Sequence, residues 1–309
     1  MLTYFALSND NPDSVAKHES EDFVYKPSPN VVSDTKERRY YSSSSQTYIL
    51  PCDEEEQYRL NMQHILFEKL FDGHVLSSVK NNLQPGSTVV DFGCGTGAWV
   101  IDMAKSYPDS TFIGVDIANV FPNDNLPPNV SFSIMDISKP LDFKDNSLDF
   151  VNSRLLLGGL QKEKWATMLT EWYRIVKPGG IVQLMEVDFM AADIVPGAER
   201  FIKGLHDLME ERGLDFFVAV KLPALLRCNG FNVVERNARK MEFYGTDLSK
   251  MVADNWDRLN LGFKGGLVKY ICPEDPDSYE VLLEGGIKAC IEQRWFKRAV
   301  GVVGRKPVV

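Results

Sequence analysis

The stretch "VVDFGCGTGAWVIDMA", residues 89–104, places a glycine-rich turn between an apolar run and a helical pattern. Glycine allows a ligand to approach bare backbone, and the amide groups at the start of a helix bind polar or anionic ligand atoms. The carboxylate of Asp91 stands just before the turn. This order of strand, turn and helix is typical of a site for a nucleotide-like cofactor.

The "GCGTGA" segment fits two classes of cofactor. It matches the dinucleotide-binding pattern, with Ala98 in the last position and Asp116 about twenty residues further on, where a ribose-binding acid belongs. A dinucleotide, however, would lay an anionic pyrophosphate beside the Asp91 carboxylate, which repels it. S-adenosylmethionine carries an ammonium group that this carboxylate attracts. Asp91 therefore favours S-adenosylmethionine, and a nicotinamide dinucleotide remains the alternative.

Strand and helix patterns alternate after the glycine turn. Apolar runs bounded by turn residues predict strands over 88–93, 111–116, 130–136, 148–153, 180–187, 231–237 and 298–306. Helical patterns fill most of the intervals, and a late insertion over 243–294 is predicted to form a cap on one end of the sheet. The sequence therefore predicts an α/β fold with a mostly parallel sheet and helices on both faces.

Aspartates are predicted at the ends of three successive strands. Asp91, Asp116 and Asp136 would lie at the sheet edge where open parallel sheets bind ligands. A carboxylate at Asp116 can accept hydrogen bonds from ribose hydroxyls, and one at Asp136 from an adenine amino group. Ile117 and Ile137 follow them and can cover the ring. Each aspartate alone would be interpreted as a turn or cap residue, but together they predict a cofactor site.

Composition and charge exclude several classes of protein. The net charge of −9 argues against a long surface that neutralises nucleic-acid phosphates. The five cysteines are scattered without the spacing of a zinc or redox pair, so we expect reduced thiols and no metal site. No apolar run reaches the ~20 residues of a membrane span, and the N-terminus lacks a signal-peptide pattern, which predicts a cytoplasmic or nuclear protein. Residues 1–38 are polar and without period, and are predicted to form a mobile arm.

Five ordered motifs carry a family resemblance. "VVDFGCGTGAW", "GVDIAN", "MDI", "FVNSR" and "IVKPGG" over roughly 86–190 resemble the motif series of class I S-adenosylmethionine-dependent methyltransferases. The upstream "YYSSSSQTYILPCDEEEQYRLNMQH" and the later "PPNVSF" resemble fungal LaeA-like members. The resemblance implies one methyltransferase domain over 39–309. Its fold would be a Rossmann-like sheet of seven strands with the last strand antiparallel, flanked by N-terminal helices.

The resemblance also implies a set of cofactor-binding residues. The methionine part would lie on the first strand and the glycine turn, the nucleoside on the two aspartates that follow, and the reactive side near the fourth strand and the N-terminal helix. The residues in this order are Asp91, Gly93, Cys94, Gly95, Thr96 and Gly97, then Asp116, Ile117, Asp136 and Ile137, then Asn152, Ser153, Arg154, Tyr48 and Arg59.

The catalytic group stays open at this level. Methyl transfer needs alignment of the two reactants, and a base only where the acceptor must lose a proton. The ionisable candidates are Glu186, His64 and His206. Glu186 stands in an apolar run, where a carboxylate is costly unless paired, so it is either a catalytic group or an ion-pair partner of Arg154. For the two histidines a structural role is favoured.

Together these observations predict a methyltransferase that uses S-adenosylmethionine to methylate a small organic acceptor at oxygen or nitrogen. The LaeA resemblance adds fungal secondary metabolism and a first alternative, a cofactor-binding regulatory protein that acts through protein partners. The second alternative is a nicotinamide-dependent oxidoreductase. No nucleic-acid or membrane partner is expected, and homo-oligomerisation stays open.

Overall fold

A computed structural model describes residues 38–40, 50–190 and 192–308. Within these residues the strands are β1 Thr88–Phe92, β2 Thr111–Asp116, β3 Val130–Ile134, β4 Leu148–Arg154, β5 Val176–Asp188, β6 Asn232–Glu242 and β7 Phe296–Arg305. The helices are α1 Glu54–Phe71, α2 Ser77–Lys80, α3 Ala98–Ser106, α4 Lys164–Ile175, α5 Glu199–Glu211, α6 Val218–Cys228, α7 Asp247–Gly262, α8 Lys264–Ile271 and α9 Tyr279–Glu292. None of the described helices combines the length and the apolar character of a membrane span.

The seven strands form one sheet in the order β3-β2-β1-β4-β5-β7-β6. All neighbours from β3 to β5 pair in parallel, and β7 runs antiparallel to both β5 and β6. The direction of the strand order changes between β1 and β4, where an open α/β sheet leaves a crevice at the carboxyl ends of its strands. The predicted fold class, including the antiparallel last strand, is confirmed.

Helices cover both faces of the sheet because both faces of its central strands are apolar. Trp99 of α3 packs against Phe150 of β4 at 6.1 Å between ring centroids. Trp172 of α4 stacks on Phe92 of β1 at 5.3 Å. Val89 is the register partner of Phe150, so Phe92, three residues further along β1, faces the opposite side. α3 and α4 therefore lie on opposite faces.

Several strand boundaries differ from the sequence prediction, and three of the differences have a clear physical reason. β3 ends at Ile134 rather than 136, because the Asp136 side chain accepts a hydrogen bond from the backbone of Ser138 and turns the chain. β5 begins at Val176 rather than 180, since Leu148 pairs with Val176 across a bulge. β6 extends to Glu242 because it pairs with β7 as far as Phe296. Tertiary pairing thus overrides the turn residues of "KPGG" at 177–180.

Helices α7, α8 and α9 occupy the span between β6 and β7 that was predicted as a cap. α7 packs on α1, whereas α8 and α9 pack on α5. These helices therefore stand with α1 and α5 beside the sheet edge that carries the crevice. The predicted arm, apart from its last residue, and Tyr48 lie outside the described residues, so both stay predictions.

Candidate functional site

The glycine turn needs glycine for two physical reasons. Gly93, Gly95 and Gly97 have φ values of +75°, +55° and +74°, which side chains rarely adopt. A Cβ atom on Gly93 would also come closer than 3.0 Å to Leu156, and one on Gly97 closer than 3.0 Å to the ring of Phe132. The backbone of the turn therefore lies too close to Leu156, which lines the crevice, and to Phe132 of β3 to accept side chains at these two glycines.

Several amides of the turn are satisfied within the protein. The amides of Gly93 and Cys94 donate to the carbonyl of Val115. The Gly95 amide donates to Asp116 Oδ2 at 2.8 Å. The following helix, α3, starts at Ala98 without a side-chain cap, so the amides of its first turn remain donors for a ligand. The amides at the start of α3 are therefore available to a ligand, whereas those of Gly93, Cys94 and Gly95 already have partners within the protein.

Asp91 is held by a chain of buried hydrogen bonds across three strands. Asn152 Nδ2 donates to Asp91 Oδ1 at 2.7 Å, and Gln183 Nε2 donates to Asn152 Oδ1 at 2.8 Å. Burial raises the pKa of Asp91 to about 7, against the opposing effect of the Arg154 guanidinium. A cationic group of a ligand would stabilise the ionised form of this carboxylate.

Asn152 and Ser153 support the site from inside the sheet. Asn152 is fully used by Asp91 and Gln183, and Ser153 Oγ donates to the carbonyl of Phe92 at 2.8 Å. Neither residue lines the three cavities found among the described residues. Of the "NSR" segment predicted to face the cofactor, the structure places only Arg154 in the crevice.

Asp116 links the turn to the second strand and also lines the crevice. Its Oδ1 accepts from the Ala118 amide at 2.9 Å, and its Oδ2 from Gly95. Asp136 accepts from the Ser138 amide at 3.0 Å and from its hydroxyl at 2.6 Å. Both aspartates thus make local turn contacts, yet both also line one recess. That recess, about 680 Å³ with its open mouth, is completed by Ile117, Met135, Ile137 and the loop at 156–161.

His64 and Arg154 form a connected pair beside Asp91. Arg154 Nη2 donates to His64 Nδ1 at 3.0 Å, so the other ring nitrogen carries the proton and donates to Asp102 Oδ2 at 3.1 Å. Burial, together with the charge of Arg154, lowers the pKa of His64 to about 4. His64 is therefore neutral at physiological pH and orients Arg154. These residues line a second recess of about 450 Å³ with Asp91, Cys94 and Thr96.

One group of potential metal ligands occurs among the described residues. Ligand atoms of His64, Glu68 and His74 lie within 4.8 Å of one another. Both ring nitrogens of His64 are already hydrogen-bonded, and the neighbouring Arg154 guanidinium would repel a cation. The arrangement therefore disfavours a metal ion.

Glu186 holds the loop after β4, and the ion pair considered with Arg154 is wrong. Its Oε1 accepts from the Leu156 amide at 2.8 Å and its Oε2 from the Leu157 amide at 3.4 Å. Within the described chain no ion pair joins it to Arg154, because its oxygens face these amides. Leu155, with φ of +62°, turns the backbone so that the Leu156 and Leu157 amides face the Glu186 oxygens. Burial raises the pKa of Glu186 to about 8. This geometry favours a positioning role.

His206 lies apart from the crevice. Its Nδ1 is 3.1 Å from Asp207 Oδ1, and its ring packs edge-on against Phe216 at 5.3 Å. It does not line the main cavity or the two recesses that share Gly93, although its neighbour Leu205 lines the main cavity.

The main cavity joins the cofactor crevice to the cap. It measures about 970 Å³ with its open mouth and shares Gly93 with both recesses. On the sheet side it is lined by Gly93, Gly95, Asp116 and Arg154. The opposite wall is mostly apolar and is built by β5, α5, β6 and α7 through Val187, Phe189, Leu205, Met209, Met241, Leu259 and Phe263. A polar ligand and an apolar one could therefore meet at Gly93.

Several polar residues of the main cavity were not predicted from the sequence. The main cavity is lined by Gln63, Asn255 and Lys297. Arg59 also lines the main cavity and does not line the recess that contains Asp91. The predicted last strand begins at 298 and so leaves out Lys297, whereas β7 begins at Phe296. Residues 296–299 read Phe, Lys, Arg and Ala, so the half-exposed position 296 carries the aromatic residue and the buried position 297 the lysine. The sequence therefore has no apolar alternation that could have marked Lys297 as buried.

Comparisons with known proteins agree with this geometry. A family described as "Methyltransferase domain" matches residues 89–180, from β1 into β5. The secondary metabolism regulator laeA of Aspergillus flavus is 33% identical over 155 residues, which cover 49% of this chain and 40% of that protein. The chain thus spans less than half the length of that regulator.

A second relative and a solved structure extend the match. The methyltransferase str3 of Strobilurus tenacellus is 32% identical over 206 residues, covering 65% of this chain and 72% of that protein. The fold is similar to a Haemonchus contortus phosphoethanolamine N-methyltransferase solved with S-adenosylhomocysteine, at 15% identity and a TM-score of 0.50, covering 84% of this chain and 60% of that one. Fold, motifs and relatives together show that the chain belongs to the class I S-adenosylmethionine-dependent methyltransferases.

Proposed function

We propose that this protein transfers the methyl group of S-adenosylmethionine to a small organic acceptor at oxygen or nitrogen. The observation that carries the proposal is the junction at Gly93 of a polar, acid-lined crevice with a mostly apolar cavity under the cap. One half suits the charged cofactor and the other an apolar acceptor. The methyl group would be exchanged where the two halves meet.

The donor set fits the charges of the cofactor. Asp91 offers a carboxylate to the ammonium group, while Arg154 and the amides at the start of α3 suit the carboxylate end. Asp116 suits the ribose hydroxyls. Asp136, with Ile117 and Ile137, forms the recess proposed for adenine. Cys94 and Thr96 border the methionine recess.

The cofactor itself supplies an electrophilic methyl group, so the residues of this chain mainly align and enclose the reactants. The loop at 155–159 separates the two halves, and Glu186 fixes its first amides. His64 keeps Arg154 in the crevice. In this proposal neither residue removes a proton from the acceptor.

Incubation with a deuterated-methyl cofactor tests the proposal. Purified protein would be mixed with a small-molecule extract from a fungal culture and, separately, with the protein fraction of that extract. We expect a trideuteromethyl mass increase in a small molecule, which is lost in Asp116→Asn. The exposed Asp109, at the opposite end of β2, provides the matched control Asp109→Asn, which should retain activity.

A regulatory role is the second candidate, because curated relatives carry the name of secondary metabolism regulators. It predicts cofactor binding without methylation of any small molecule. Label found only in the protein fraction, or in neither fraction, would favour this candidate over ours. The oxidoreductase alternative has lost its basis, since the chain belongs to a methyltransferase family.

A further inference from the structure

Lys297 is a lysine buried in the main cavity. It is the second residue of β7 and is 2% exposed. Its Nζ lies 4.2 Å from the ring centroid of Trp256 and 5.7 Å from those of Phe189 and Phe243. Across the described ranges no carboxylate forms an ion pair with it. An ammonium group without a counter-ion in such surroundings costs several kcal/mol, and burial lowers the pKa of Lys297 to about 7.

A second cation with an unused donor lines the same cavity. Arg59 is 2% exposed and pairs with Glu56 through two of its nitrogens, Nε to Oε2 at 2.9 Å and Nη2 to Oε1 at 2.7 Å. Its Nη1 is buried and has no hydrogen-bond partner. Glu56 balances the charge of Arg59 but not that of Lys297. This side of the cavity therefore holds Lys297, which has no carboxylate partner among the described residues, and the free N–H donors of Arg59 Nη1.

The remaining lining narrows the chemistry of a ligand. Apart from Arg59 and Lys297, the cap side offers the neutral amides of Gln63 and Asn255, and the rest of its wall is mostly apolar. A cationic acceptor would be repelled by both basic groups. A neutral acceptor would leave the Lys297 charge unbalanced. A single negative charge on an apolar body satisfies both the charge and the free donors.

We propose that Lys297, assisted by Arg59, binds a carboxylate of the acceptor, so that the acceptors are apolar carboxylic acids. This inference rests on the proposed function and deepens it by naming a substrate class. The aromatic rings around Lys297 fix its ammonium group, and the apolar wall receives the body of the acid. Where Lys297 is neutral before binding, the carboxylate draws a proton onto it, so binding takes up a proton from solution.

Calorimetry with matched acid and amide ligands tests this proposal. The full chain, saturated with S-adenosylhomocysteine, is titrated with a panel of apolar acids from phenylacetate to decanoate and with their amides. We expect at least one acid to bind more than 10-fold tighter than its amide at pH 6.5. We expect this preference to fall at least 10-fold as the pH rises to 9, because Lys297 loses its proton.

Variants assign the effect to Lys297. Lys297→Met should lose the preference for the acid while amide binding stays within 2-fold. Lys297→Arg should retain the preference at pH 9, since arginine stays protonated. Lys240→Met is the matched control, because Lys240 on the adjacent strand is exposed and stacks on Phe296 outside the cavity.

Each result has a defined meaning. Binding of S-adenosylhomocysteine is measured first in every variant, which shows that the variant is folded. If the wild type does not bind it, the proposed function fails. If it binds but no acid is preferred to its amide, the carboxylate proposal alone fails. Weaker binding of S-adenosylhomocysteine in Lys297→Met would mean that Lys297 binds the cofactor. If Lys297→Met kept the preference for the acid but methylated it more slowly, Lys297 would instead act in proton removal. Both outcomes overturn the proposal.

Discussion

Replacing Glu186 by glutamine should change how the stability of this protein depends on pH. The Glu186 side chain is 0% exposed and its pKa is raised from 4.5 to about 8 by burial. Below pH 4.5 the carboxyl group is protonated in both the folded and the unfolded chain. As the pH rises toward 8, only the unfolded chain loses the proton freely, so folding stability declines over this window.

The size of this decline follows from the two pKa values. One pKa unit corresponds to about 1.4 kcal/mol, so the difference between 4.5 and about 8 corresponds to about 5 kcal/mol. Movement of the 155–159 loop can relieve part of this destabilisation, so we expect the free energy of unfolding to fall by about 2 to 5 kcal/mol between pH 4.5 and 8. Glutamine cannot ionise, so Glu186→Gln removes this loss. Its oxygen can still accept from the Leu156 amide, but its amide NH2 group would be buried facing the Leu157 amide without an acceptor, which costs about 1 to 3 kcal/mol.

Urea unfolding followed by tryptophan fluorescence at pH 5, 6, 7 and 8 measures the effect. We expect Glu186→Gln to be less stable than the wild type at pH 5 and more stable at pH 8. Glu284→Gln, which changes an exposed glutamate on α9, should follow the wild type throughout. A difference between Glu186→Gln and wild type that stays constant from pH 5 to 8 would refute a protonated Glu186.

Two further substitutions test the cofactor side of the crevice. Gly97→Ala combines a φ of +74° with a clash against Phe132, so thermal unfolding should show a free energy of unfolding lower by about 2 to 4 kcal/mol. Gly245→Ala, with φ of +94° and no atom nearby, should lower it by only about 1 to 2 kcal/mol in that assay. Asp91→Asn should weaken S-adenosylhomocysteine binding in calorimetry at least 10-fold, because it removes the partner of the ammonium group. It should also raise the free energy of unfolding at pH 8, because burial raises the pKa of Asp91 to about 7 and the ionised carboxylate destabilises the folded state. Equal losses in the two glycine variants, or unchanged affinity in Asp91→Asn, would contradict the site geometry.

The central sheet was predictable because its strands are short apolar runs bounded by turn residues. The predicted and observed limits of β2 coincide at 111 and 116. Asp91 and Asp116 were predicted at strand ends, and the structure places them near the carboxyl ends of β1 and β2, beside the glycine turn. Their binding role stays a prediction. Local sequence was sufficient wherever the chemistry follows directly from a strand end.

Contacts between distant elements could not be predicted in this way. Glu186 and Arg154 both lie near the ends of neighbouring strands, so an ion pair between them was a reasonable expectation. The left-handed turn at Leu155 instead directs backbone amides, and not the guanidinium, to the carboxylate. Lys297 is buried by residues that are distant in sequence, such as Trp256 of α7 and Phe189 after β5. Its distance from the cofactor motifs along the chain hides it from any local pattern.

The proposed cofactor site is tested by calorimetric titration of the purified protein with S-adenosylhomocysteine, in the wild type, in Asp116→Ala and in Asp109→Ala. We predict micromolar binding in the wild type and in Asp109→Ala. Loss of the hydrogen bonds made by Asp116 should weaken binding about 10- to 100-fold in Asp116→Ala. Absence of binding in the wild type, or equal affinity in all three proteins, would contradict the proposed cofactor site.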